Sequence, residues 1–452
     1  MCSLSLASCA LDDLEEHAAP GTGDEPVVAS GSGSGAARIT FSSYESASSE
    51  AGDQAYFEFA LTDKPQGPVV ISLGLSDATE ARVSPSFLVF TPNSWSTPQS
   101  VEVQSIDDDR FDGDVNVYVL PSVTSSDPRY ADFPLPALDV LSVDDDYAVT
   151  GYRVYALHPD PTESRATALN NRGQAIVEWR GDGHDIHPFL WESPVTLLVD
   201  LAATNPPLYQ AHALDLNDAG IAVGWTDAAP GQWVMYRGNT ILPQPGEIWA
   251  INDRNHMAGE ALFVDGRRIA IAGDAVVGGR ALNNADHVAG LFPVPPYAER
   301  AFFWNGTFTD LGSFGGPRAE GSSVNQHDEV VGRMFDAQFN YQPFYYDGTQ
   351  VIRLGNLSGS EGGWANAINN RGEIVGTDVD LGRFPVRAWI GRPGDLVALD
   401  TLLVDAPCFF WIDAKDINDR GEIIVDAVEC NTGTIRGYIL EPIKQAKPGC
   451  TP

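Results

Sequence analysis

Aspartates crowd two short stretches of this chain. Asp107, Asp108 and Asp109 run together and are followed by Asp112 and Asp114; Asp144, Asp145 and Asp146 form a second run. Carboxylates packed this densely repel one another. A hard cation taking about six to eight oxygen ligands removes that repulsion, and Ca2+ tolerates irregular donor geometry. The bland alternative is a pair of solvated turns. A second donor set is GDGHDIHP, where His184 and His187 stand with Asp182 and Asp185. That set suits Zn2+, although such a string is more often an exposed loop between strands. Among recognisable catalytic motifs, no nucleophile elbow, P-loop, HExxH or CxxC occurs.

The acidic runs need elements to hold them. Between residues 37 and 147 seven segments alternate apolar and polar residues: ARITFSS, AYFEFALT, PVVISLGL, SFLVFTP, QSVEVQS, VNVYVLPS and LDVLSVD. Pro, Gly, Asp and Ser separate them, which predicts a β-sandwich with the aspartates at strand ends. SSEAGD, SFLVFTPNSWSTPQSVEV, IDDDRFDGD and VDDDY in this stretch resemble a Calx-β domain. The resemblance implies calcium at one end of the sandwich, with Glu50, Asp107, Asp108, Asp112, Asp144, Asp145 and Asp146 as ligands. Val115 stands where that family carries an acidic residue.

Downstream the rhythm changes. An apolar-Asn-(Asn/Asp/Gln)-x-(Gly/Asn/Asp) pattern recurs seven times, with its Asn at 170, 217, 252, 283, 325, 369 and 418. Each copy is followed by a short apolar run, as in LNNRGQAIV and INNRGEIVG. The fourth residue (Gly173, Gly220, Asn255, Asp286, Asp328, Gly372 or Gly421) is of a type that tolerates positive φ. Each copy therefore predicts a tight hairpin between antiparallel strands. Further strands follow in several copies, so a unit holds about four strands, as in a propeller blade. An orphan strand, GYRVYAL, precedes the first copy, and the last copy lacks its fourth strand. Pairing the two closes a ring and removes exposed edges. The expectation is an all-β chain: a Calx-β-like sandwich followed by a seven-bladed β-propeller over 148–442. Six or eight blades and an open solenoid are the rivals. INNRGEIVG, AFFWNG and FTDLGSFGG resemble the HAF family of extracellular bacterial repeat proteins. That resemblance implies a secreted or surface-attached protein and no particular chemistry.

Composition narrows the partners. The 452 residues carry 27 basic and 62 acidic side chains, a net charge of −35, with only four Lys. Nothing here offers a basic patch for nucleic acid or an anionic membrane. Residues 1–36 read as a truncated signal with a lipobox, Leu6-Ala7-Ser8-Cys9, and a flexible linker from Gly21 to Gly35. Cys9 is the expected lipidation site, so a lipid anchor is the one membrane contact predicted, at the cell surface or as an outer-membrane lipoprotein. Residues 443–452 read as a tail. Cys408 and Cys430 flank the final hairpin; with Ile417 paired to Glu422 across the turn, one bulge would bring them opposite each other as a disulfide; Cys430 with Cys450 is the rival pairing. Two functions remain: a non-enzymatic exported surface protein whose propeller binds a protein or a glycan, or a propeller enzyme that cleaves glycans.

Overall fold

The computed structural model describes residues 27–29, 39–43, 47–108, 113–159, 162–180, 185–192, 197–201, 210–227, 232–238, 240–272, 277–357, 360–380 and 383–446. Regular structure there is strand throughout, apart from a 3-10 turn at Leu399–Thr401. Two five-stranded sheets form the N-terminal domain. One orders Val27–Ala29, Ile39–Ser43, Gln54–Leu61, Gln99–Ser105 and Ala81–Ser84; the other orders Ala47–Ser49, Leu138–Val143, Val115–Ser125, Val69–Leu75 and Phe87–Phe90. Alternate residues of both sheets, among them Phe57, Phe59, Ile71, Val103, Val119 and Val140, share one core. Val27–Ala29 lie in the segment expected to be linker, yet they pair with Ile39–Ser43. Two consecutive valines beside an otherwise open edge favour the strand.

The remaining strands form a β-propeller, with each motif copy opening an antiparallel unit of four strands; the fourth and fifth units are joined by a parallel pairing of Glu299 with Arg318. The first sheet, for example, orders Ser164–Leu169, Ala175–Arg180, Ile186–Glu192 and Leu197–Asp200. The last sheet takes three strands from the C-terminus and its fourth from Tyr147–Ala156, and Leu403–Val404 adds a short parallel fifth at its edge. Val154 stands opposite Leu440 and Ala156 opposite Tyr438, so the ring closes as the sequence predicts. The closing strand runs on to Ala446, with Tyr147 opposite it. The tail therefore starts four residues later than expected, because Tyr147–Val149 supply partners for it. The seam packs like any other junction: Ile424 and Ile439 join Leu157, Ala166 and Trp191 in one cluster.

Each motif Asn is the joint between neighbouring sheets. Its Nδ2 donates to the backbone carbonyl of the next motif Asn: 170 to 217, 217 to 252, 252 to 283, 283 to 325, 325 to 369, 369 to 418, and 418 back to 170. The second Nδ2 proton goes to a side-chain oxygen of the same or the next copy, as in Asn170 to Gln174 and Asn283 to Asp328. The Oδ1 accepts the N–H four residues on, as from His287 to Asn283. Only a carboxamide supplies two donors and an acceptor at once. A parallel ring joins the second motif residues. The N–H of Asn171 donates to Asp218 Oδ1, Asp218 to Asp253, Asp253 to Asn284, Asn284 to Gln326, Gln326 to Asn370, Asn370 to Asp419, and Asp419 to Asn171. In three copies the ring Asn also accepts the N–H two residues on, as Asn283 does from Ala285, whereas the second residue serves the neighbouring copy.

The fourth residue has positive φ in all seven copies, from 59° at Asn255 to 78° at Gly173. The hairpin register differs by one from expectation. Ile417 faces Ile423, not Glu422, because Asn418 N–H donates to the Glu422 carbonyl and a five-residue loop results. Two bulges, at Phe410 and Lys415, then place Cys408 opposite Cys430 where one was expected. The two are joined by a disulfide with a Cα–Cα distance of 5.5 Å.

Asn283 is 3% exposed, and Asn283→Ala leaves the N–H groups of Ala285 and His287 without their acceptor and takes one of two donors from the Asn325 carbonyl. The expected cost is about 2–4 kcal/mol, read from the guanidinium midpoint; an unchanged midpoint would refute the joint. Cys408 should resist alkylation in unreduced native protein, as peptide mapping will show.

Candidate functional site

The sandwich is docked on the hairpin end of the propeller, where both rings lie. Its Ala51-Gly52-Asp53 turn enters the channel. Asp53 is 3% exposed and accepts bonds from Asn171 Nδ2 at 2.6 Å and Asn284 Nδ2 at 3.0 Å, from opposite sides of the ring. His327 donates through Nε2 to the Ala51 carbonyl at 2.7 Å. Arg254 lies over the Tyr56 ring and Arg371 over Tyr147, while Asp114 pairs with Arg420 and Lys444. The plug leaves a small polar cavity of about 160 Å3 beneath it. Oxygens of Asp53, Asp218 and Asp253 lie within 4.8 Å of one another. Burial, then repulsion from Asp419, Asp253 and Asp218, pushes the Asp53 carboxyl well above the usual range. Sequence reasoning missed this contact. The contact falls within SSEAGD, read from the sequence as part of the Calx-β resemblance with Glu50 as a calcium ligand.

The acidic end of the sandwich lies beside the plug. Oxygens of Glu50, Asp107 and Asp145 lie within 4.8 Å of one another. Burial and then Asp144, with Asp145 and Asp108 adding, raise the Glu50 carboxyl to about 8. Asp144 is already engaged, accepting the N–H groups of Gly113 and Asp146. Asp146 is buried. Asp112 and Cys9 fall outside the described residues, as do His184 and Cys450. His187 pairs with Asp200 at 3.3 Å.

At the other end of the channel the propeller is open. Every inner strand carries a bulge at the residue three before its ring Asn: Thr167, Leu214, Trp249, Arg280, Ser322, Asn366 and Lys415. The glycine that ends five of the motifs explains how the bulge fits. A Cβ on Gly290 would lie 2.0 Å from the Gly278 carbonyl, which the bulge brings over it. The bulged side chains line a cavity of about 420 Å3 together with Arg165, Glu320, Arg333 and Asp426. Glu320 takes Arg280 Nε at 3.0 Å and Arg333 at 2.6 Å; Lys415 pairs with Asp413 at 2.6 Å and Asp426 at 3.4 Å. Burial raises Asp426 to about 6 in spite of Lys415. Trp249 lies in this mouth with Arg280 3.7 Å from the centre of its ring. The available signal was variation: the residue three before each Asn differs in every copy, while the residue before it is always Ala, Gly or Ile.

No protein-family model and no curated protein matches the chain. Among solved structures it is similar to a putative TolB from Agrobacterium tumefaciens, with a TM-score of 0.37 and 10% identity over 54% of this chain and 86% of that one. It is also similar to TolB from Acinetobacter baumannii (TM-score 0.34, 7% identity, 89% and 82% covered). A gluconolactonase from Xanthomonas campestris gives a TM-score of 0.35 at 8% identity, covering 66% of this chain and 95% of that one. The likeness is one of fold.

Two buried carboxyls along the channel wall set a pH dependence. Asp215 and Asp416 precede their ring asparagines by two residues and accept the N–H groups of Ile251 and Leu169 from neighbouring sheets. Burial raises each from 3.8 to about 7. A raised folded pKa contributes stability that is complete below the unfolded value and lost as pH rises to the folded one. Melting temperature should therefore fall between pH 4 and pH 7 through these groups, by roughly a few degrees each. Asp215→Asn with Asp416→Asn should flatten that slope; an unchanged slope in the double variant would show that they titrate normally.

Proposed function

We propose that this chain is a non-enzymatic, exported surface protein: a seven-bladed propeller that serves as a binding platform, carried on a Calx-β-like domain that takes Ca2+. The observation that carries this reading is the Asp53 plug. Clustered carboxylates with raised pKa sit at the channel's hairpin end, as an enzyme would require. Their oxygens are nevertheless spent as acceptors in the second ring and around the plug, and no substrate-sized space adjoins them. At the open mouth, Glu320 and Asp426 are each tied to cationic partners. A glycan hydrolase or lyase, the alternative, would have to free them.

Export is supported by the Cys408–Cys430 disulfide, which oxidising compartments favour. The HAF-like repeats and the lipobox-like Cys9 point the same way, to a protein held at the cell surface by a lipid anchor. Ca2+ is supported by Glu50, Asp107 and Asp145, whose oxygens converge and whose mutual repulsion a cation offsets. The partner at the propeller is a protein or a glycan.

Titration calorimetry of the full chain should show Ca2+ binding at millimolar concentration or tighter, lost in Asp107→Asn with Asp145→Asn; absence of heat would reduce the cluster to solvated turns. Incubation with a panel of polysaccharides should release no reducing or unsaturated ends, and release of either would establish the enzyme reading instead.

A further inference from the structure

The open mouth of the channel is built differently from the rest of the propeller. Hairpins, rings and inner-strand packing repeat from unit to unit. The bulge side chains do not. Each inner strand delivers one unlike residue to the axis, about 10 Å along the strand from the Asn ring. A constant frame presenting variable side chains to one cavity separates the holding of the fold from the choice of ligand. The cavity volume of about 420 Å3 falls within the usual range for small-molecule sites.

Its charge runs against that of the chain. Arg165, Arg280, Arg333 and Lys415 face Glu320 and Asp426, four cations against two carboxylates, in a protein of net charge −35. Asp413 bonds Lys415 and Glu163 bonds Arg165 from outside the lining, which balances the four cations with four carboxylates. The balance is uneven across the mouth. Glu320 alone compensates two guanidiniums, taking Arg280 on Oε1 and Arg333 on Oε2. Arg280 sits over Trp249 and is ion-paired with Glu320 through Nε, and it makes no hydrogen bond among the described residues, which leaves the terminal nitrogens of its fork available. A fixed guanidinium fork matches a planar carboxylate in two parallel bonds. Nearby stand neutral polar groups. Thr167 Oγ1 is buried with no partner among the described residues, and Ser322 and Asn366 line the same cavity.

We infer that this mouth binds a carboxylate-bearing sugar, its carboxylate on Arg280 and Arg333 and its hydroxyls on Thr167, Ser322 and Asn366. The inference rests on the propeller's being a binding platform and names the ligand class of that platform.

D-glucuronate is the probe, with D-glucose and inorganic sulfate as controls, titrated calorimetrically into the full chain. Glucuronate should bind and glucose should not. Sulfate should bind more weakly, because it supplies the anion without the hydroxyls. Arg280→Met and Arg333→Gln should each weaken glucuronate binding tenfold or more, with Ca2+ binding unchanged. Should either variant fold poorly, the wild-type protein still decides the matter, since its affinity for glucuronate must fall as ionic strength rises. No heat with glucuronate, equal binding of glucose, or affinity insensitive to salt and to Arg280→Met would overturn the inference. Sulfate binding as tightly as glucuronate would overturn the sugar. Failure of the platform reading looks different: it appears as turnover of a polysaccharide, whether or not glucuronate binds.

Discussion

The structure depends on one side-chain group, the primary amide at the first motif position. A propeller sheet is complete along its own strands and meets its neighbours through few backbone pairings, such as Glu299 with Arg318 and Tyr152–Arg153 with Leu403–Val404. Most adhesion between sheets must come from packing and from side chains. Here seven buried amides supply it, each 2–4% exposed. Aspartate at that place would lose both donors and add a buried charge. Serine or threonine would offer one donor. The requirement for two donors and one acceptor in a fixed plane explains why Asn alone is invariant in the seven copies, while the second position accepts Asn, Asp or Gln, needing only an acceptor.

Much of the fold was legible because its signals are local. Positive φ at Gly173 or Asp328 follows from residue type at a fixed offset, and the closing strand follows from a strand short at one end and a strand spare at the other. The disulfide followed from counting outward along a hairpin, although the count was off by one at the turn and one bulge was missing. What escaped was everything that joins residues far apart in the chain. Asp53 reads as one more polar residue in a turn, and nothing near it announces that Asn171 and Asn284 will close on it. The bulge residues escaped for another reason. A bulge breaks the alternation on which strand reading relies, so nothing local marks Trp249 or Arg280 as facing the mouth.

The two ends of the channel have separate tasks as a result. At the hairpin end the sandwich spends its turn on closing the pore, and its acidic cluster is pressed toward the same face, where Asp145 acts on both Arg371 and Asp419. Any cation held by Glu50, Asp107 and Asp145 would therefore bear on how the two domains sit together. At the open end no strand framework depends on the side chains displayed, so they are free to differ.

The amide ring also has a sense of direction. Every Asn donates to the next copy along the chain, and the last donates to the first. The bond dipoles follow one another head to tail around a circle and sum to nothing across it, so each can polarise the next without charging the pore. An open stack of the same seven units would break this circuit. The Asn170 carbonyl would keep only the Gly173 N–H and the Asn418 amide only Glu422, so one buried hydrogen bond would be lost, at about 0.5–1.5 kcal/mol. The choice between a ring and a solenoid is thus written twice, once in the shared strand at the seam and once in the amides, and the second record does not depend on where the chain begins.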